Sequence, residues 1–379
     1  MGAFYTGTYT NVFKELGKTD SEIQNRLNEI LDEVFFGDEK IYFPNGDMGY
    51  VLDTGNNDVR TEGMSYAMMV FVQTDRREDF NRIWKWVKTY MYIKEGRNKG
   101  YFAWSVLPGG VKNSDGPAPD GEEYFAAALF FAGARWGDGD GIFNYSEQAS
   151  EILRECVHKG EEDYGGGSPM WNPENKLIKF IPDWEMTDPS YHLPHFYEIF
   201  ALKADKRDSA FWKEAAKASR DFLKTACHPI TGLAPEYSYY DGTPYEKSND
   251  GNMGHPGHDT FYSDSYRVAA NIGLDHEWFG GDESLREIAD RIQRFFGDTE
   301  SPDKVYRTDG TVIDMPALHP VGLLAANAQA SLAAAEKYRL NFAERFWNMP
   351  PRKGERRYYD NFLYIFAFLA LSGNYNIYI

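Results

Sequence analysis

Three carboxylates of this chain stand at the start of strongly apolar segments, where they could exchange protons with a ligand. Glu62, Asp120 and Asp264 each precede a stretch of small and aromatic residues. Desolvation by apolar neighbours raises the pKa of a carboxyl group, which suits a general acid, so Glu62 is the candidate acid. Arg267, three residues after Asp264 on one helical face, would lie near Asp264 and keep it ionised.

Each of these two assignments has a structural alternative. Glu62 could be an N-terminal glutamate that only complements the helix dipole. Asp264 and Arg267 could form an ordinary ion pair. The residue types and their spacing leave both alternatives open.

The pattern of one polar residue before an apolar segment occurs six times in the chain. The leading residues are Glu62, Asp120, Asp188, Asp264, His319 and Asp360. The segments between these repeats are charged and amphipathic, with apolar residues three or four positions apart, which is typical of helices that cover a core. They are residues 21–27, 80–87, 147–156, 209–226, 283–296 and 334–347. The alternation predicts an all-α fold, an (α/α)6 barrel of six helical hairpins with inner and outer helix layers and no strand-length β-branched runs.

Length and charge limit the classes of protein to consider. A ring of repeated hairpins can reach 379 residues with a single core, and no linker interrupts the chain, so we expect one catalytic domain over residues 1–379. There are 58 acidic and 40 basic residues, a formal net charge of −18, which would repel phosphate backbones and disfavours nucleic acid as a partner. No segment approaches the ~20 apolar residues that a membrane span requires.

The two cysteines, Cys156 and Cys227, are too few for a disulfide framework, so we expect two unpaired thiols. The first residues of the sequence lack the basic start and long apolar region of a secretory signal. We therefore expect a cytoplasmic protein, and we expect a monomer.

Aromatic residues make up 16% of the chain, and many precede the predicted inner helices. They include Trp104, Trp171, Trp184, Tyr262 and Trp347. These side chains could simply plug the ends of the barrel. They could also provide flat apolar surfaces with polar rims, which suit sugar rings. Together with the carboxylates, they favour a carbohydrate-binding cleft.

Two of these segments resemble a known family of enzymes. Residues 58–66, Asp-Val-Arg-Thr-Glu-Gly-Met-Ser-Tyr, look like the general-acid motif of glycoside hydrolase family 8, and residues 118–136 are similar to its signature helix. The signature differs here at Pro119, Glu122 and Phe125. The resemblance implies that Glu62 is the general acid. It also implies that Asp120 binds a distorted sugar beside the scissile bond and is not a nucleophile.

Two further segments extend the resemblance. Pro-Ser-Tyr at residues 189–191 is similar to the motif whose tyrosine orients the attacking water, which implies that role for Tyr191. Asp-Ser-Tyr-Arg at residues 264–267 is similar to the general-base region, which implies that Asp264 is the base. The expected substrate-binding residues are Asp120, Arg267, His319, Trp104, Trp184, Tyr262 and Tyr358.

Neither of two possible metal-binding segments has the required pattern. In residues 138–144, Ile142 and Phe143 occupy positions where a calcium loop of the EF-hand type needs an oxygen ligand and a glycine. His255 and His258 lie three apart, but in a loop rich in glycine and proline instead of on a helix. We expect no metal and no organic cofactor.

The segment Ala-Leu-His-Pro at residues 317–320 resembles the loop that closes one end of the cleft in reducing-end xylose-releasing members of the family, where the histidine contacts the terminal sugar. This implies an inverting hydrolase acting on β-1,4-xylo-oligosaccharides. One alternative is an endo-xylanase or endo-glucanase of the same family. Others are a sugar epimerase with an α/α barrel and a sugar-binding protein without catalysis. Release of reducing sugar from xylotriose would separate these classes.

Overall fold

The computed structural model describes residues 1–246 and 254–379. In these residues, twelve helices of ten or more residues alternate between an inner and an outer layer. The inner helices are α2 (Thr61–Gln73), α4 (Pro119–Trp136), α6 (Pro194–Lys203), α8 (Arg267–Phe279), α10 (Pro320–Gln329) and α12 (Arg357–Leu371). The outer helices are α1 (Asp20–Leu31), α3 (Arg77–Trp86), α5 (Tyr145–His158), α7 (Ser209–Ala226), α9 (Glu283–Asp298) and α11 (Arg339–Asn348).

The inner helices form a closed ring. Each packs beside the next in chain order, and α12 packs beside α2. Each inner helix from α2 to α10 also contacts the outer helix that follows it, while α12 contacts α1 at the other end of the chain. The predicted (α/α)6 barrel is therefore confirmed.

The layering follows from the distribution of apolar residues. Every residue of α4 from Pro119 to Ala132 is buried, including three carboxylates. In α9 the buried residues are spaced three or four apart, from Leu285 to Phe296, and the opposite face is charged. A helix that is apolar on all sides must be surrounded by protein, whereas a helix with one apolar stripe covers the ring from outside.

Two inner helices begin later than the sequence pattern predicts. Asp188 and Asp264 were expected to open helices, but each lies beside or within a 3-10 turn, Pro189–Tyr191 or Ser263–Tyr266. Pro194 explains the first case, because a proline disfavours helical conformation in the preceding residue and is itself favoured at the first helical position. The short turns leave these carboxylates in loop conformations at the mouth of the barrel.

Seven short strands, which the sequence did not predict, form three small antiparallel sheets. They are β1 (Tyr42–Asn45), β2 (Met48–Val51), β3 (Val59–Arg60), β4 (Ser105–Val106), β5 (Thr260–Phe261), β6 (Lys304–Arg307) and β7 (Val312–Pro316). The sheets are β1–β2, β3–β4 and β5–β6–β7. Strand β3 leads directly into α2, and β5 precedes the turn that holds Asp264. Strands of two residues are too short for sequence periodicity to detect.

Shorter helical segments lie outside the twelve long helices. The short α-helices are Ala3–Thr6 and Val12–Glu15, and π-helical turns extend α1 and α3 over Asp32–Phe36 and Val87–Met91. Further 3-10 turns are Gly141–Phe143, Glu162–Tyr164, Lys206–Asp208 and Ala330–Leu332.

Cys156 and Cys227 are buried free thiols, as expected. Among the helices described, none combines the length and hydrophobicity needed to cross a bilayer.

Candidate active site

A cavity of about 520 Å³ opens at the end of the barrel where the loops lead into the inner helices. Its size is typical of small-molecule sites. Seven of the residues proposed from the sequence line it: Glu62, Trp104, Asp120, Tyr191, Asp264, His319 and Tyr358. The ring of helices thus brings together side chains that are widely separated in the chain.

Glu62 lies in the first turn of α2, where strand β3 ends. Its Oε1 accepts a hydrogen bond of 3.0 Å from the Tyr358 hydroxyl, and its Oε2 accepts one of 3.3 Å from Arg267 Nη1. Burial raises the pKa of Glu62 to about 8; Arg267 opposes this shift, while Asp120 and Asp264 add to it. Glu62 therefore carries a proton at neutral pH, as a general acid must.

Asp120 is buried in the first turn of α4. Its Oδ1 accepts the N–H of Gly121 at 2.9 Å, and its Oδ2 lies 3.3 Å from Arg267 Nη1. Burial raises its pKa to about 6, although Arg267 lowers it. Asp120 is thus acidic enough to be ionised at neutral pH, and it lines the same cavity as Glu62.

Two of the three departures from the family signature, Pro119 and Glu122, have structural explanations. Pro119 occupies the first position of α4, where a proline is well tolerated. Glu122 is buried, is not among the described residues that line the cavity, and accepts the backbone N–H of Phe102 at 3.1 Å. It therefore holds the loop that precedes α4.

Arg267, which the sequence predicted to bind substrate, is the central cation of the site; it is buried and, within the part of the chain that the structure describes, does not line the cavity. Its Nη1 donates to Tyr66 Oη at 2.7 Å as well as to Glu62 and Asp120. Its Nη2 lies 3.6 Å from Asp264 Oδ2 and 3.8 Å from Asp188 Oδ2. One positive charge therefore faces four carboxyl groups, which explains why some of them must remain protonated.

Asp264 lies in a 3-10 turn just before α8, and its side chain is 27% exposed. Arg267 is close to it, as the spacing of three predicted. The contacts of Glu62 and Asp264 with the two terminal nitrogens of one guanidinium limit the separation of their oxygens to roughly 9 Å, compatible with the ~6.5–9.5 Å of inverting glycosidases. The preceding Ser263 has φ of 41°, an unfavourable backbone conformation for a residue other than glycine.

Tyr191 and Asp188 belong to the turn before α6. Tyr191 lines the cavity, and its ring lies 5.5 Å from the Arg267 guanidinium carbon. Asp188 is fully buried, and its Oδ1 accepts the N–H of Ser190 at 2.7 Å. Burial, reinforced by the charge of Asp264, raises the pKa of Asp188 well above its usual range. The sequence marked Asp188 only as the start of a helix, and its place against Arg267 became evident only in the fold.

His319 closes one side of the cavity together with Leu318. Its Nδ1 is hydrogen-bonded to Asp360 Oδ2 at 2.7 Å, and Arg352 Nη1 lies 2.5 Å from the same oxygen. Arg352 also donates to the backbone oxygen of Leu318 at 2.7 Å. Because a carboxylate accepts, Nδ1 of neutral His319 carries the proton and Nε2 is left as an acceptor.

The predicted aromatic contacts divide into two groups. Trp104 lines the cavity, 36% exposed, with the Arg60 guanidinium 5.2 Å from its ring centre. In the described part of the chain, Trp184 and Tyr262 are not among the lining residues. Trp184 is 44% exposed beside Phe180, and Tyr262 packs against His255, so any contact of either with a sugar would lie outside this cavity.

Sequence reasoning also missed several lining residues. They are Asp53, Asn56, Arg60, Phe180, Tyr237, Arg356 and Tyr359, among others. Arg60 lies inside the general-acid motif and could have been found there. Tyr237 and Arg356 lie in loops without a recognisable pattern, and only the fold shows that they face the cavity.

Within residues 1–246 and 254–379, one cluster has the donor atoms for a metal: Glu236, His255 and His258. The donor atoms lie within 4.8 Å of one another. The sequence pattern predicts that this histidine pair belongs to a turn-rich loop, and it does not indicate Glu236. The tautomer of His255 decides between a metal site and a hydrogen-bonded cluster.

Comparison with known proteins agrees with this geometry. The model of the family described as glycosyl hydrolases family 8 matches residues 40–373. A protein of Halalkalibacterium halodurans, described as reducing end xylose-releasing exo-oligoxylanase, is 59% identical over 383 aligned residues, covering 99% of this chain and 96% of that protein. A protein of Bifidobacterium adolescentis with the same description is 54% identical over 374 residues, covering 96% of each.

A solved structure of a similar protein has closely the same fold. The structure of Rex8A from Paenibacillus barcinonensis, complexed with xylose, matches with a TM-score of 0.97 at 55% sequence identity. The match covers 100% of both chains.

Proposed function

The chain belongs to glycoside hydrolase family 8, and from this premise we propose that it releases xylose from the reducing end of β-1,4-xylo-oligosaccharides. The relatives named above support the substrate. The observation that carries the catalytic assignment is the pair formed by Glu62 and Asp264, which share the cavity and contact neighbouring nitrogens of Arg267.

In this proposal Glu62 is the general acid. Its raised pKa keeps it protonated, so it can donate a proton to the glycosidic oxygen as the bond to the leaving xylose breaks. Tyr358 and Arg267 hold the two oxygens of Glu62 in place. Both donors also stabilise the carboxylate that remains after proton transfer.

Asp264 is the general base. Its carboxylate, which lies beside Arg267, removes a proton from a water molecule on the opposite face of the sugar. Tyr191 lines the cavity and serves as a second contact for that water. Attack on the anomeric carbon is then a single displacement with inversion, and no covalent sugar–enzyme intermediate forms.

Asp120 binds the sugar on the non-leaving side of the scissile bond. Its buried carboxylate is fixed by Gly121 and Arg267, so it can accept hydrogen bonds from sugar hydroxyls without moving. Interactions of this kind accelerate the reaction when they are stronger with the distorted, oxocarbenium-like sugar than with the relaxed one.

Leu318 and His319 form the barrier behind the leaving xylose. Asp360 and Arg352 fix this segment, so the wall is rigid. His319 Nε2 can accept a hydrogen bond from the anomeric hydroxyl, a group that exists only on a free reducing end. A chain that extends beyond this position would meet the wall, so cleavage takes place one sugar from the reducing end.

Product analysis of xylotetraose labelled at its reducing end tests this proposal. Labelled xylose should be the first labelled product. Labelled xylobiose or a mixture of labelled fragments would indicate an open cleft, and the endo-acting alternative would replace exo-action. Intact xylotetraose after prolonged incubation would contradict hydrolysis altogether.

We further propose that the protein acts as a cytoplasmic monomer without a metal or organic cofactor. The two buried free thiols fit a reducing compartment. Light scattering would test the oligomeric state, and cell fractionation the compartment. Full activity after dialysis against EDTA would support the absence of a metal requirement.

A further inference from the structure

Glu236 lies outside the catalytic cavity and is almost completely buried. Its Oε2 is 2.5 Å from His258 Nδ1 and 3.1 Å from His255 Nε2. Burial raises the pKa of Glu236, but its interactions with the two histidines outweigh burial, and the pKa is lowered overall. One carboxylate oxygen thus holds two imidazole rings from a different segment of the chain.

The hydrogen bonding of His255 shows which chemistry this cluster supports. The backbone N–H of Gly257 donates to His255 Nδ1 at 3.1 Å, so Nδ1 is the acceptor and the proton of the neutral ring is on Nε2. Nε2 then donates to Glu236. A metal-bound histidine normally has the opposite arrangement, in which its second nitrogen donates to an acceptor. The cluster is therefore a hydrogen-bonded clamp, which we call the Glu236 clamp, formed by Glu236, His255 and His258.

The Glu236 clamp fixes the segment that leads to Asp264. The backbone N–H of Glu236 donates to Thr260 O at 2.9 Å, and that of Tyr237 donates to His258 O at 3.0 Å. His255 also packs edge-on against Tyr262, with ring centres 5.0 Å apart. Side-chain and main-chain bonds therefore anchor residues 255–262 on both sides of β5.

This anchored segment ends at the strained residue. Ser263, with φ of 41°, directly precedes Asp264, and such a conformation persists only when the surrounding structure enforces it. On the other side of Ser263, Ser265 Oγ accepts the N–H of Tyr262 at 2.8 Å. The Glu236 clamp holds the residues before Ser263. The contact between Tyr262 and Ser265 holds the 3-10 turn that contains Ser263.

We propose that Glu236 is a positioning residue for the reaction, which acts by holding His255 and His258 so that the Asp264 carboxylate is aimed at the attacking water. The inference rests on the proposed function, because it assigns Glu236 a role only through the general base. Glu236 does not touch the substrate in this arrangement. Its loss would misplace Asp264, and small misplacements of a reacting group have large kinetic effects.

The decisive experiment is a double-mutant cycle between Glu236 and Asp264, measured as xylose release from xylotriose. Glu236→Gln removes the negative charge of the group that accepts from both imidazole rings, and it should lower kcat about 10-fold to 100-fold with KM within about twofold. In an Asp264→Asn background, the same Glu236→Gln change should alter the residual kcat less than about twofold, because the residue it positions is already inactive.

A matched control is available in an outer region of the barrel. Asp208 is a buried carboxylate that lies 3.0 Å from His158 Nε2, away from the cavity. Asp208→Asn should lower the melting temperature about as much as Glu236→Gln does, but leave kcat unchanged. If Glu236→Gln does not fold, His255→Ala removes one contact of the clamp and should show the same dependence of kcat on Asp264.

Three outcomes would overturn the proposal. The first is an unchanged kcat in a folded Glu236→Gln or His255→Ala variant. The second is an equal loss of kcat with and without Asp264. The third is stoichiometric binding of Zn²⁺ by the EDTA-treated wild type that His255→Ala abolishes. The third would show that the cluster is a metal site. Failure of the wild-type protein to release xylose would instead contradict the proposed function, so the two failures are distinguishable.

Discussion

The Tyr358 hydroxyl donates a hydrogen bond of 3.0 Å to Glu62 Oε1 across 296 positions of sequence. The contact exists because α12, the last inner helix, packs beside α2, the first. Gly63 makes room for it, since a Cβ at that position would lie 2.4 Å from a ring carbon of Tyr358. Closure of the ring of helices therefore completes the environment of the proposed acid.

Removal of this contact should change the pH dependence of catalysis. A hydrogen bond to a carboxylate favours its ionised form, so Tyr358→Phe should raise the pKa of Glu62 above its present value of about 8. We expect the alkaline limb of the kcat profile on xylotriose to move to higher pH, with a lower maximal kcat. A limb at the wild-type position would show that Tyr358 does not influence Glu62 during turnover.

Protein stability should fall with rising pH because of Glu62. Burial raises its pKa from 4.5 to about 8 in the folded protein, so between these values the native state binds more protons than the unfolded state. The free energy of unfolding therefore decreases as pH rises through this window. Calorimetry of Glu62→Gln should show a smaller decrease in melting temperature between pH ~5 and ~8. Equal slopes for the variant and the wild type would contradict the raised pKa.

Asp120 should be essential without being a proton-transfer group. Asp120→Ala is expected to lower kcat about 10²-fold to 10³-fold while both limbs of the pH profile remain, because its contacts act on the distorted sugar. Asp120→Asn keeps the size of the side chain and one acceptor oxygen, so it should retain more activity than the alanine variant. Loss of one limb with kcat otherwise preserved would identify Asp120 as an acid or base.

The barrier at His319 should make the enzyme depend on a free reducing end. Xylotriose that is reduced or methyl-capped at this end should be a much poorer substrate than free xylotriose, since the anomeric hydroxyl and the space around it are changed. A lost hydrogen bond of this kind has an effect of about 1–3 kcal/mol. His319→Ala should reduce the difference between capped and free substrates. Equal turnover of the two by the wild type would mean that the cleft is open.

The stereochemistry of the products tests the roles of Glu62 and Asp264 together. In early NMR spectra of xylotriose hydrolysis, the new reducing end of xylobiose should be the α-anomer. A crystal structure should place the two carboxyl groups about 6.5–9.5 Å apart. A β-anomer as the first product, or a separation near 5 Å, would indicate a retaining mechanism instead.

The sequence by itself determined the helical architecture. Inner and outer helices differ in the arrangement of apolar residues along the chain, and this local property can be recognised without knowledge of the fold. The structure agrees with it, since every residue of α4 from Pro119 to Ala132 is buried. It also determined the positions of Glu62, Asp120, Tyr191 and Asp264, because they lie within contiguous motifs. That the chain is one domain remains a prediction, and a single calorimetric unfolding transition would support it.

The tertiary structure decided how these groups are charged and held. The proton on Glu62, the four carboxyl groups around Arg267 and the contact with Tyr358 all arise from ring closure, which brings distant residues into one desolvated site. The same is true of the Glu236 clamp, where a loop carboxylate binds two histidines 19 and 22 positions further along the chain. Short-range patterns cannot encode such contacts, because the energy of each depends on burial and on partners that only the folded chain supplies.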